Sequence, residues 1–261
     1  MKLFHLNIEK GRFYKDILRT IRTASPDIIC FQEVAGGEYV KDGLDLFQKL
    51  QQDLVSYRGV LAKQNEPFES PQSYIGVAIF YKPELLLLKS KEVVMLRNSG
   101  KFVKADDPMN MHCGYKVLAL KFKYEEQVFN ILTGHFTWEN KPDDNAYKIE
   151  RAAKVLKYLQ KLNHPFILTG DFNVRANTRT VKQFEQVAVN LTEKYKIGNT
   201  LNPNLSRHKH IFPKGVDCDH ILISQGIKVK TYELIDEPDL SDHYALIMEF
   251  TLDPGTEKVK P

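Results

Sequence analysis

Residues 165–173 read PFILTGDFN, an apolar run that ends in a glycine, a carboxylate and a carboxamide. The first four residues have the length and composition of a buried strand. Because alternate side chains of an extended segment point to the same side, Asp171 and Asn173 can reach into one pocket. That pocket would lie at the carboxyl end of the strand, where an open α/β sheet places its ligand sites. Considered alone, the stretch is explained equally well by a strand followed by an Asp/Asn turn.

The same pattern recurs at widely separated places in the chain. Residues 4–9, 28–33 and 129–135 are strand-like runs that end in polar groups, residues 219–223 begin with an acid, and Ser241-Asp242-His243 precedes an apolar run. The polar residues at these positions are Asn7, Glu9, Gln32, Glu33, His135, Asp219, Asp242 and His243. Together with residues 165–173, these runs make six strand ends with polar groups. Six such strand ends are hard to explain by turns alone. The sequence therefore predicts that these groups converge on one site.

The composition is that of an ordinary globular protein. The chain has 261 residues, 43% of them hydrophobic and 27% charged, enough for one substantial core or two small ones. No repeat, low-complexity linker or domain boundary is visible, so we expect one domain over residues 1–253 and a flexible tail over residues 254–261. The net charge of +4 is compatible with a phosphate-bearing substrate but does not require one.

Cysteine usage and hydropathy favour a cytoplasmic location. The three cysteines are scattered without the spacing of a metal site, and such a set does not indicate a disulfide framework. No signal peptide is recognisable, and no apolar run approaches the roughly 20 residues of a membrane span. We therefore expect no membrane-spanning segment.

Strand-like and helix-like patterns alternate along the chain. Ile17, Leu18 and Ile21 recur at helical spacing between the strands at residues 4–9 and 28–34, which predicts a parallel pair or two strands of one layered sheet. Further elements are expected as helices at 41–54, 143–162 and 178–187, a hairpin of 116–124 with 127–132, an antiparallel pair or curled edge at 85–96, and a long polar loop at 97–114.

The ordered set of polar groups resembles the motif series of the endonuclease/exonuclease/phosphatase superfamily. This superfamily includes deoxyribonucleases, abasic-site endonucleases, neutral sphingomyelinases, inositol polyphosphate phosphatases, deadenylases and tyrosyl-DNA phosphodiesterases. The resemblance runs from residue 2 to about residue 250, and its most specific motifs are residues 170–173 and 241–243. It implies an α/β fold, a four-layered sandwich of two mixed β-sheets packed face to face with helices on the outside.

The resemblance also implies a metal centre. Glu33 would be the principal ligand of a catalytic Mg²⁺, which Mn²⁺ can replace, with Asn7, Glu9 and Asp242 nearby. Carboxylate and carbonyl oxygens suit such a hard, six-coordinate cation on chemical grounds. The ordinary alternatives are that Glu33 caps the next segment and that Asp242 belongs to an Asx turn.

Five further residues resemble the catalytic groups of the family. Asp171 would orient or deprotonate the attacking water, and Asn173 would hold a phosphate oxygen. His243, oriented by Asp219, would stabilise the pentavalent phosphorane, with His135 as a second donor to the phosphate. A metal ion and imidazolium donors aimed at phosphate oxygens stabilise the transition state more than the ground state.

Three positions near these motifs need a choice or depart from the family pattern. Asp217 and Asp219 compete for the role of orienting the histidine, and we choose Asp219 because an acid, an aromatic and then an apolar strand is the usual order. His220 replaces that aromatic residue. Arg151 resembles a family arginine that ties the helix after His135 to the site, and we assign it to substrate binding.

The substrate is less well specified than the chemistry. His135 is shared by deoxyribonuclease-like, sphingomyelinase-like and tyrosyl-phosphodiesterase-like members, whereas abasic-site enzymes tend to have a tyrosine there. Trp138, Tyr74 and the basic cluster at residues 207–214 suit a nucleic acid held by stacking and phosphate contacts. The ordinary alternatives are that Trp138 is a packed core aromatic and that the cluster is a solvated loop. We therefore expect a Mg²⁺-dependent phosphodiesterase acting on DNA or RNA. The alternatives are a phospholipid, inositol phosphate or other small phosphate ester, and a scaffold without activity.

Overall fold

The computed structural model describes residues 1–64, 73–96, 114–138, 141–237 and 239–253. The polar loop expected at 97–114 lies outside these residues except for its last position, and so does the tail expected at 254–261.

Six strands form the first sheet, in the order β11-β12-β1-β2-β4-β3. The strands β1 and β2 are parallel, and the other pairs are antiparallel. The parallel pair was one of the two alternatives predicted from the sequence. These strands are β1 (Lys2–Asn7), β2 (Ile28–Gly36), β3 (Arg58–Lys63), β4 (Tyr74–Tyr81), β11 (Ile227–Ile235) and β12 (Ala245–Leu252).

The second sheet has the order β5-β6-β7-β8-β10-β9 and is also mixed, since β7 and β8 are parallel. The predicted hairpin is confirmed as the antiparallel pair β6 and β7. The strands are β5 (Leu86–Leu96), β6 (Tyr115–Tyr124), β7 (Gln127–His135), β8 (Phe166–Asp171), β9 (Val189–Asn190) and β10 (Asp219–Ile223).

Helices cover the outer faces of the two sheets. One apolar cluster fills the space between the sheets, a second joins the outer face of the second sheet to α3, and a third joins the outer face of the first sheet to α1 and α2. The four-layered sandwich is therefore confirmed. The helices are α1 (Tyr14–Ala24), α2 (Leu46–Asp53), α3 (Ala146–Leu159), α4 (Arg179–Lys182) and α5 (Leu191–Lys194), with short 3-10 helices at Glu9–Gly11, Gly37–Tyr39, Lys41–Gly43 and Gln183–Gln186.

Two of the expected helices differ from the structure, and the one expected at 178–187 is the short helix α4 followed by the 3-10 helix Gln183–Gln186. The helix expected from residue 41 begins at Leu46, because the Asp45 side chain accepts a hydrogen bond from the Gln48 backbone N–H and caps it there. Of the two alternatives for residues 85–96, the structure has the edge: Leu86–Leu96 is a single strand at the end of the sheet, paired with β6 with two register irregularities. None of the helices in the described part of the chain has the length and apolar character needed to cross a bilayer.

The period of two along each strand decides which side chains face the space between the sheets. In β1, Leu3 packs in the inter-sheet core while Phe4 and Leu6 pack outward against the helices. His5 and Asn7 therefore share the inward face with Leu3. The inner face thus changes along β1 from apolar to polar as the strand approaches its carboxyl end.

Candidate active site

The strand registers bring the polar strand ends to one edge of the sandwich. In the second sheet, Asp171 at the end of β8 is paired with His135 at the end of the parallel strand β7. It is also paired with Asp219 at the start of β10, which is antiparallel to β8. Asn7, at the end of β1 in the other sheet, donates from Nδ2 to Asp171 Oδ2 at 3.1 Å. The two sheets therefore meet at this carboxylate.

A backbone irregularity turns Glu33 into the same region. The register of β2 against β4 shifts between Phe31 and Val34, and Glu33 has φ of 54°. In regular alternation Glu33 would face away from Gln32, whose amide donates to Thr133 in the opposite sheet at 2.7 Å. The bulge lets both neighbours face inward, which is a common device beside active sites.

Asp171 is the central group of the site. Its Oδ2 lies 3.6 Å from His135 Nε2 and 3.7 Å from His243 Nε2, and its Oδ1 accepts the Asn173 backbone N–H at 2.9 Å. Burial raises the pKa of Asp171 and the neighbouring Asp219 adds to the rise, while the two histidines oppose it. Asp171 is thus a buried carboxylate with an enhanced tendency to take up a proton.

His243 and Asp219 form a buried ion pair beside this centre. His243 Nδ1 lies 2.8 Å from Asp219 Oδ2, with the two side chains 8% and 0% exposed. Although burial opposes it, the carboxylate of Asp219 and the neighbouring Cys218 and Asp171 raise the pKa of His243 well above its ordinary value. Burial likewise opposes the shift at Asp219, but His243 and His5 hold its pKa far below the usual range. The geometry therefore favours an imidazolium whose Nε2–H points toward Asp171.

Glu33 and Asp242 supply a second pair of carboxylates. Burial works to raise the pKa of Glu33, but Lys10, His135 and His243 outweigh it and the pKa is lowered. Burial raises the pKa of Asp242 to about 7, His243 opposes the rise and Glu33 contributes to it. Asp242 thus faces Glu33, Glu9 and Asp171 with His243 as its compensating cation, and a bound cation would relieve this repulsion.

Asn7 and Glu9 lie beside this pair but have other contacts. The Asn7 carboxamide cross-links the acids, donating to Glu33 Oε1 at 3.4 Å as well as to Asp171, and its oxygen accepts the Glu9 backbone N–H. The Glu9 carboxylate lies 3.2 Å from Arg12 Nη1 and 3.6 Å from Arg207 Nε. The Asn7 oxygen thus already accepts one hydrogen bond from the backbone. The Glu9 carboxylate is already paired with two arginines.

A further trio of potential ligand atoms, Cys218, Asp219 and His243, lies within 4.8 Å of one another. These atoms already contact each other, with Cys218 Sγ 3.5 Å from Asp219 Oδ2 and 3.9 Å from His243 Nδ1. Burial, with Asp219 and Asp171, raises the pKa of the Cys218 thiol. Because a metal would require the thiolate, this chemistry fits a hydrogen-bonded cluster better than a metal site.

These groups line a cavity of about 140 Å³ with two chemically different sides. Its polar lining consists of Glu33, His135, Asp171, Asp242 and His243 together with Asn173, whose amide also donates to the Phe136 carbonyl. The other side is largely apolar and aromatic. It consists of Trp138, Pro142, Leu201, His208, Phe212, Val216 and Cys218, with the Trp138 and His208 rings 4.9 Å apart.

Comparison with known proteins identifies the family of the chain. The sequence pattern of the Endonuclease/Exonuclease/phosphatase family matches residues 5–243. The chain belongs to this family. Family members hydrolyse phosphate esters, and the predicted resemblance is thereby confirmed. No curated protein matches the sequence significantly.

Several solved structures of this fold are similar to the whole chain. The human Nocturnin catalytic domain with bound sulfate is 19% identical, with a TM-score of 0.72 and coverage of 97% of this chain and 93% of that one. The mannosyl-6-phosphatase Bt3783 of Bacteroides thetaiotaomicron is 18% identical, with a TM-score of 0.68 and coverage of 97% of this chain and 100% of that one. D. rerio TDP2 complexed with single strand DNA product is 15% identical, with a TM-score of 0.69 and coverage of 96% of this chain and 98% of that one. At these identities the likeness concerns the fold.

The geometry answers two questions that the family motifs left open. Asp219 contacts His243, whereas Asp217 accepts the backbone N–H of Ala176, so the chosen acid is the one beside the histidine. His220, in the place of the usual aromatic residue, lies on the other face of β10 and makes an edge-on contact with the Phe172 ring at 5.2 Å. It therefore packs as an aromatic ring would.

Three residues that sequence analysis connected with substrate have different environments. Trp138 lines the cavity. Arg151 is not among the described residues that line it, and donates to the Thr137 hydroxyl at 2.7 Å, tying α3 to the segment after His135. Tyr74 is only 1% exposed and donates to Asp45, so it offers no stacking surface, contrary to the expectation.

Several neighbours of the site were not predicted from the sequence. His5 contacts Asp219, and Lys10 lies 3.6 Å from Glu33. His208 was predicted only as a member of the basic cluster at residues 207–214, and it lines the cavity. The alternation of β1 already places His5 on the same face as Asn7, and this signal could have identified it. His208 lies in an irregular region where no period relates it to the strand ends.

Proposed function

We propose that this protein hydrolyses phosphodiester bonds in nucleic acid with the help of bound Mg²⁺. The observation that carries the proposal is the meeting of His135 and His243 at Asp171, directly beside the acids Glu33 and Asp242. Donors for phosphate oxygens, a base for water and acids for a cation are thus present in one cavity.

Glu33 and Asp242 would hold the metal. The lowered pKa of Glu33 keeps its carboxylate ionised, while Asp242 is kept partly protonated by burial and by neighbouring acids. A cation would relieve that repulsion, and oxygen donors are the ligands Mg²⁺ prefers. A bound Mg²⁺ would supply positive charge to the phosphate and to the leaving oxygen.

Asp171 would position the attacking water and take its proton. Its raised pKa makes it a stronger base than an exposed aspartate. The Asn173 backbone N–H and the Asn7 amide hold the two oxygens of this carboxylate, which fixes the direction in which it can accept a proton.

His243 and His135 would donate hydrogen bonds to the phosphate. The Asp219 contact at Nδ1 leaves Nε2 of His243 directed into the cavity and stabilises its positive charge. Charge that develops on the phosphate oxygens during attack would then be met by donors that are already in place. Asn173 would contribute the remaining amide hydrogen at the same wall.

The second half of the cavity supports a nucleic acid substrate. Trp138 and His208 offer ring faces, and Leu201 and Phe212 an apolar surface, next to the site proposed for the phosphate. Bases stack on such side chains without requiring one sequence. Arg207, whose side chain is 76% exposed and lies beside Glu9, provides positive charge for a neighbouring phosphate.

A small phosphate ester is the second candidate. The cavity volume of about 140 Å³ is close to that of a site that holds a single six-membered ring. A sugar phosphate or a terminal nucleotide would fit such a space better than the middle of a duplex.

The cytoplasmic location expected from the sequence stays a prediction.

A substrate panel tests the proposal. Purified protein is incubated with single-stranded DNA, RNA, bis(p-nitrophenyl) phosphate, a sugar phosphate and phospholipid vesicles, with Mg²⁺ or with EDTA. We expect Mg²⁺-dependent cleavage of an oligonucleotide that EDTA abolishes. Turnover of the sugar phosphate or the lipid with intact DNA and RNA would transfer the assignment to the second candidate. Equal cleavage with EDTA would contradict the metal requirement.

A further inference from the structure

A second histidine reaches Asp219 from the opposite sheet. His5 Nε2 lies 3.1 Å from Asp219 Oδ1, while Oδ2 of the same carboxylate lies 2.8 Å from His243 Nδ1. The side chains of His5 and Asp219 are both fully buried, at 0% exposure. His5 belongs to β1 in the first sheet and Asp219 to β10 in the second, so the contact spans the inter-sheet space.

The contact with Asp219 accounts for the placement of the His5 ring. Nδ1 of His5 is buried and has no hydrogen-bond partner among the described residues. An ionised carboxylate only accepts hydrogen bonds, so the proton must be on Nε2. An unpartnered buried nitrogen costs free energy that an apolar side chain at this position would avoid. Within the described part of the chain, the ring therefore has one polar contact, and that contact is the carboxylate.

The two oxygens of Asp219 have different surroundings. Oδ2 faces His243 and, at 3.5 Å, the Cys218 thiol. Oδ1 faces His5, the donor recorded for this oxygen among the described residues. The Asp219 backbone N–H is bound separately by the Thr200 hydroxyl. Without His5, the carboxylate would be restrained from one side only.

We propose that His5 is a positioning residue that holds Asp219 in the orientation His243 requires. A carboxylate with a donor on each oxygen cannot rotate about its terminal bond without losing a buried contact. His243 therefore keeps its proton on Nδ1 toward Asp219 and its Nε2 toward the cavity. This inference rests on the proposed function, since His243 is taken to act on the phosphate.

Substitutions at His5 separate positioning from packing. His5→Phe keeps a ring of similar shape but removes the donor, and His5→Leu removes it with a smaller side chain should the phenyl ring not fit. His5→Gln restores a nitrogen donor at the same number of bonds from the backbone as Nε2. We expect kcat to fall about 10- to 100-fold in His5→Phe and His5→Leu, with KM within about twofold, as for other supporting contacts. His5→Gln should recover most of the activity.

His220→Phe is the matched control. His220 is also a fully buried histidine, but its Nε2 contacts the Val174 carbonyl and its ring packs on Phe172. We expect its kcat to stay within about threefold of the unsubstituted protein, because neither its hydrogen bond nor its ring contact involves the Asp219 carboxylate or His243. Equal kcat in His5→Phe and the unsubstituted protein, or equal losses in His5→Gln and His5→Phe, would refute the positioning role.

Proton NMR of the resting protein tests the same role without any substrate. The His243 Nδ1 proton shared with Asp219 should give a low-field signal. We expect this signal to shift or broaden in His5→Phe and His5→Leu and to persist in His5→Gln and His220→Phe. An unchanged signal in folded His5→Phe would overturn the inference. A protein that cleaves no phosphate ester, yet shows the expected change in this signal, would refute the proposed function alone.

Discussion

Asp219 illustrates how one buried charge can be stabilised by its surroundings. The carboxylate is fully buried but has a histidine at each oxygen, and its pKa is far below the ordinary value. Burial of an unpaired charge would be expensive, so the two imidazoles and the carboxylate depend on one another. Removal of the charge should therefore affect both stability and its dependence on pH.

Asp219→Asn is expected to lower the free energy of unfolding by about 3 kcal/mol at pH 7. Because the folded-state pKa of Asp219 is depressed, its contribution is fully present above the unfolded pKa of about 4 and is lost as the pH falls below that value. His243, whose folded-state pKa is raised, contributes below about pH 6.5 and loses its contribution at alkaline pH. Urea unfolding from pH 3 to 8 should show the two proteins converging in acid. A constant difference over this range would refute the ion pair.

Glu33→Gln tests the proposed metal site at the residue scale. Replacing the carboxylate by an amide removes one of the two acids that would hold the cation, so Mg²⁺ affinity should fall at least about tenfold. Isothermal titration calorimetry measures this without any substrate. Glu126→Gln in the exposed turn between β6 and β7 is the control, and its affinity should be unchanged. Equal Mg²⁺ affinity in all three proteins would remove Glu33 from the site.

At the scale of elements, the site depends on registers that side-chain patterns predict only in part. The strand ends at Asn7, His135 and Asp171 could be recognised because an apolar run stops at each one. The bulge that turns Glu33 inward could not, since nothing in residues 28–36 requires a positive φ at that position. Glu33 was recognised as part of a polar strand end and was assigned to the metal by its resemblance to a family motif, and the physical reason for its direction came from the structure.

The irregular segments between elements were harder to predict than the strands. Residues 201–216 supply much of the apolar wall, and their side chains follow neither a period of two nor one of 3.6. Their positions depend on tertiary contacts, such as the backbone bonds of Thr200 to Val216 and of Asn202 to Asp242. The chemistry of the site was therefore predictable to a greater degree than the shape of its substrate pocket.

A buried lysine in α3 connects this helix to the rim of the cavity. Lys148 is 3% exposed, and its Nζ donates to the carbonyl oxygens of Lys141, Asp143 and Asn173 at 2.8, 3.2 and 3.2 Å. The ammonium group thus fixes both the segment that carries Pro142 and the backbone of a proposed phosphate ligand.

Lys148→Met should leave these carbonyls without their donor. We expect the free energy of unfolding to fall by about 2–3 kcal/mol and kcat/KM to fall about tenfold, because the rim would lose its fixed position. Chemical denaturation and steady-state kinetics measure the two effects. Lys157→Met, on an exposed position of the same helix, should change neither. A Lys148→Met protein with normal stability would show that the three contacts contribute little.

At the scale of the whole molecule, the sandwich brings groups from both sheets to one edge. Its surface there carries positive charge, with Arg12 and Arg207 at Glu9 and Lys10 at Glu33. We expect Arg207, whose side chain is 76% exposed, to contact the backbone of a bound strand. Binding of a nucleic acid should therefore depend on salt.

Arg207→Ala should weaken single-stranded oligonucleotide binding and reduce the slope of log affinity against log salt by about 0.7. Fluorescence anisotropy with a labelled strand, at several salt concentrations and with a catalytically inactive background, gives this slope. Lys228→Ala, on an exposed position of β11, should leave it unchanged. If Arg207→Ala keeps the original slope, Arg207 makes no phosphate contact.

The central claim is that residues from both sheets act as one catalytic unit, and a double substitution tests it most directly. Initial rates with bis(p-nitrophenyl) phosphate and Mg²⁺ are measured for Asp171→Asn, His243→Gln and the double variant. We expect each single change to lower kcat by about 10²–10⁴ and the double variant to be no more than about tenfold slower than the slower single variant. Single variants with normal kcat, or losses that multiply fully in the double variant, would contradict the account.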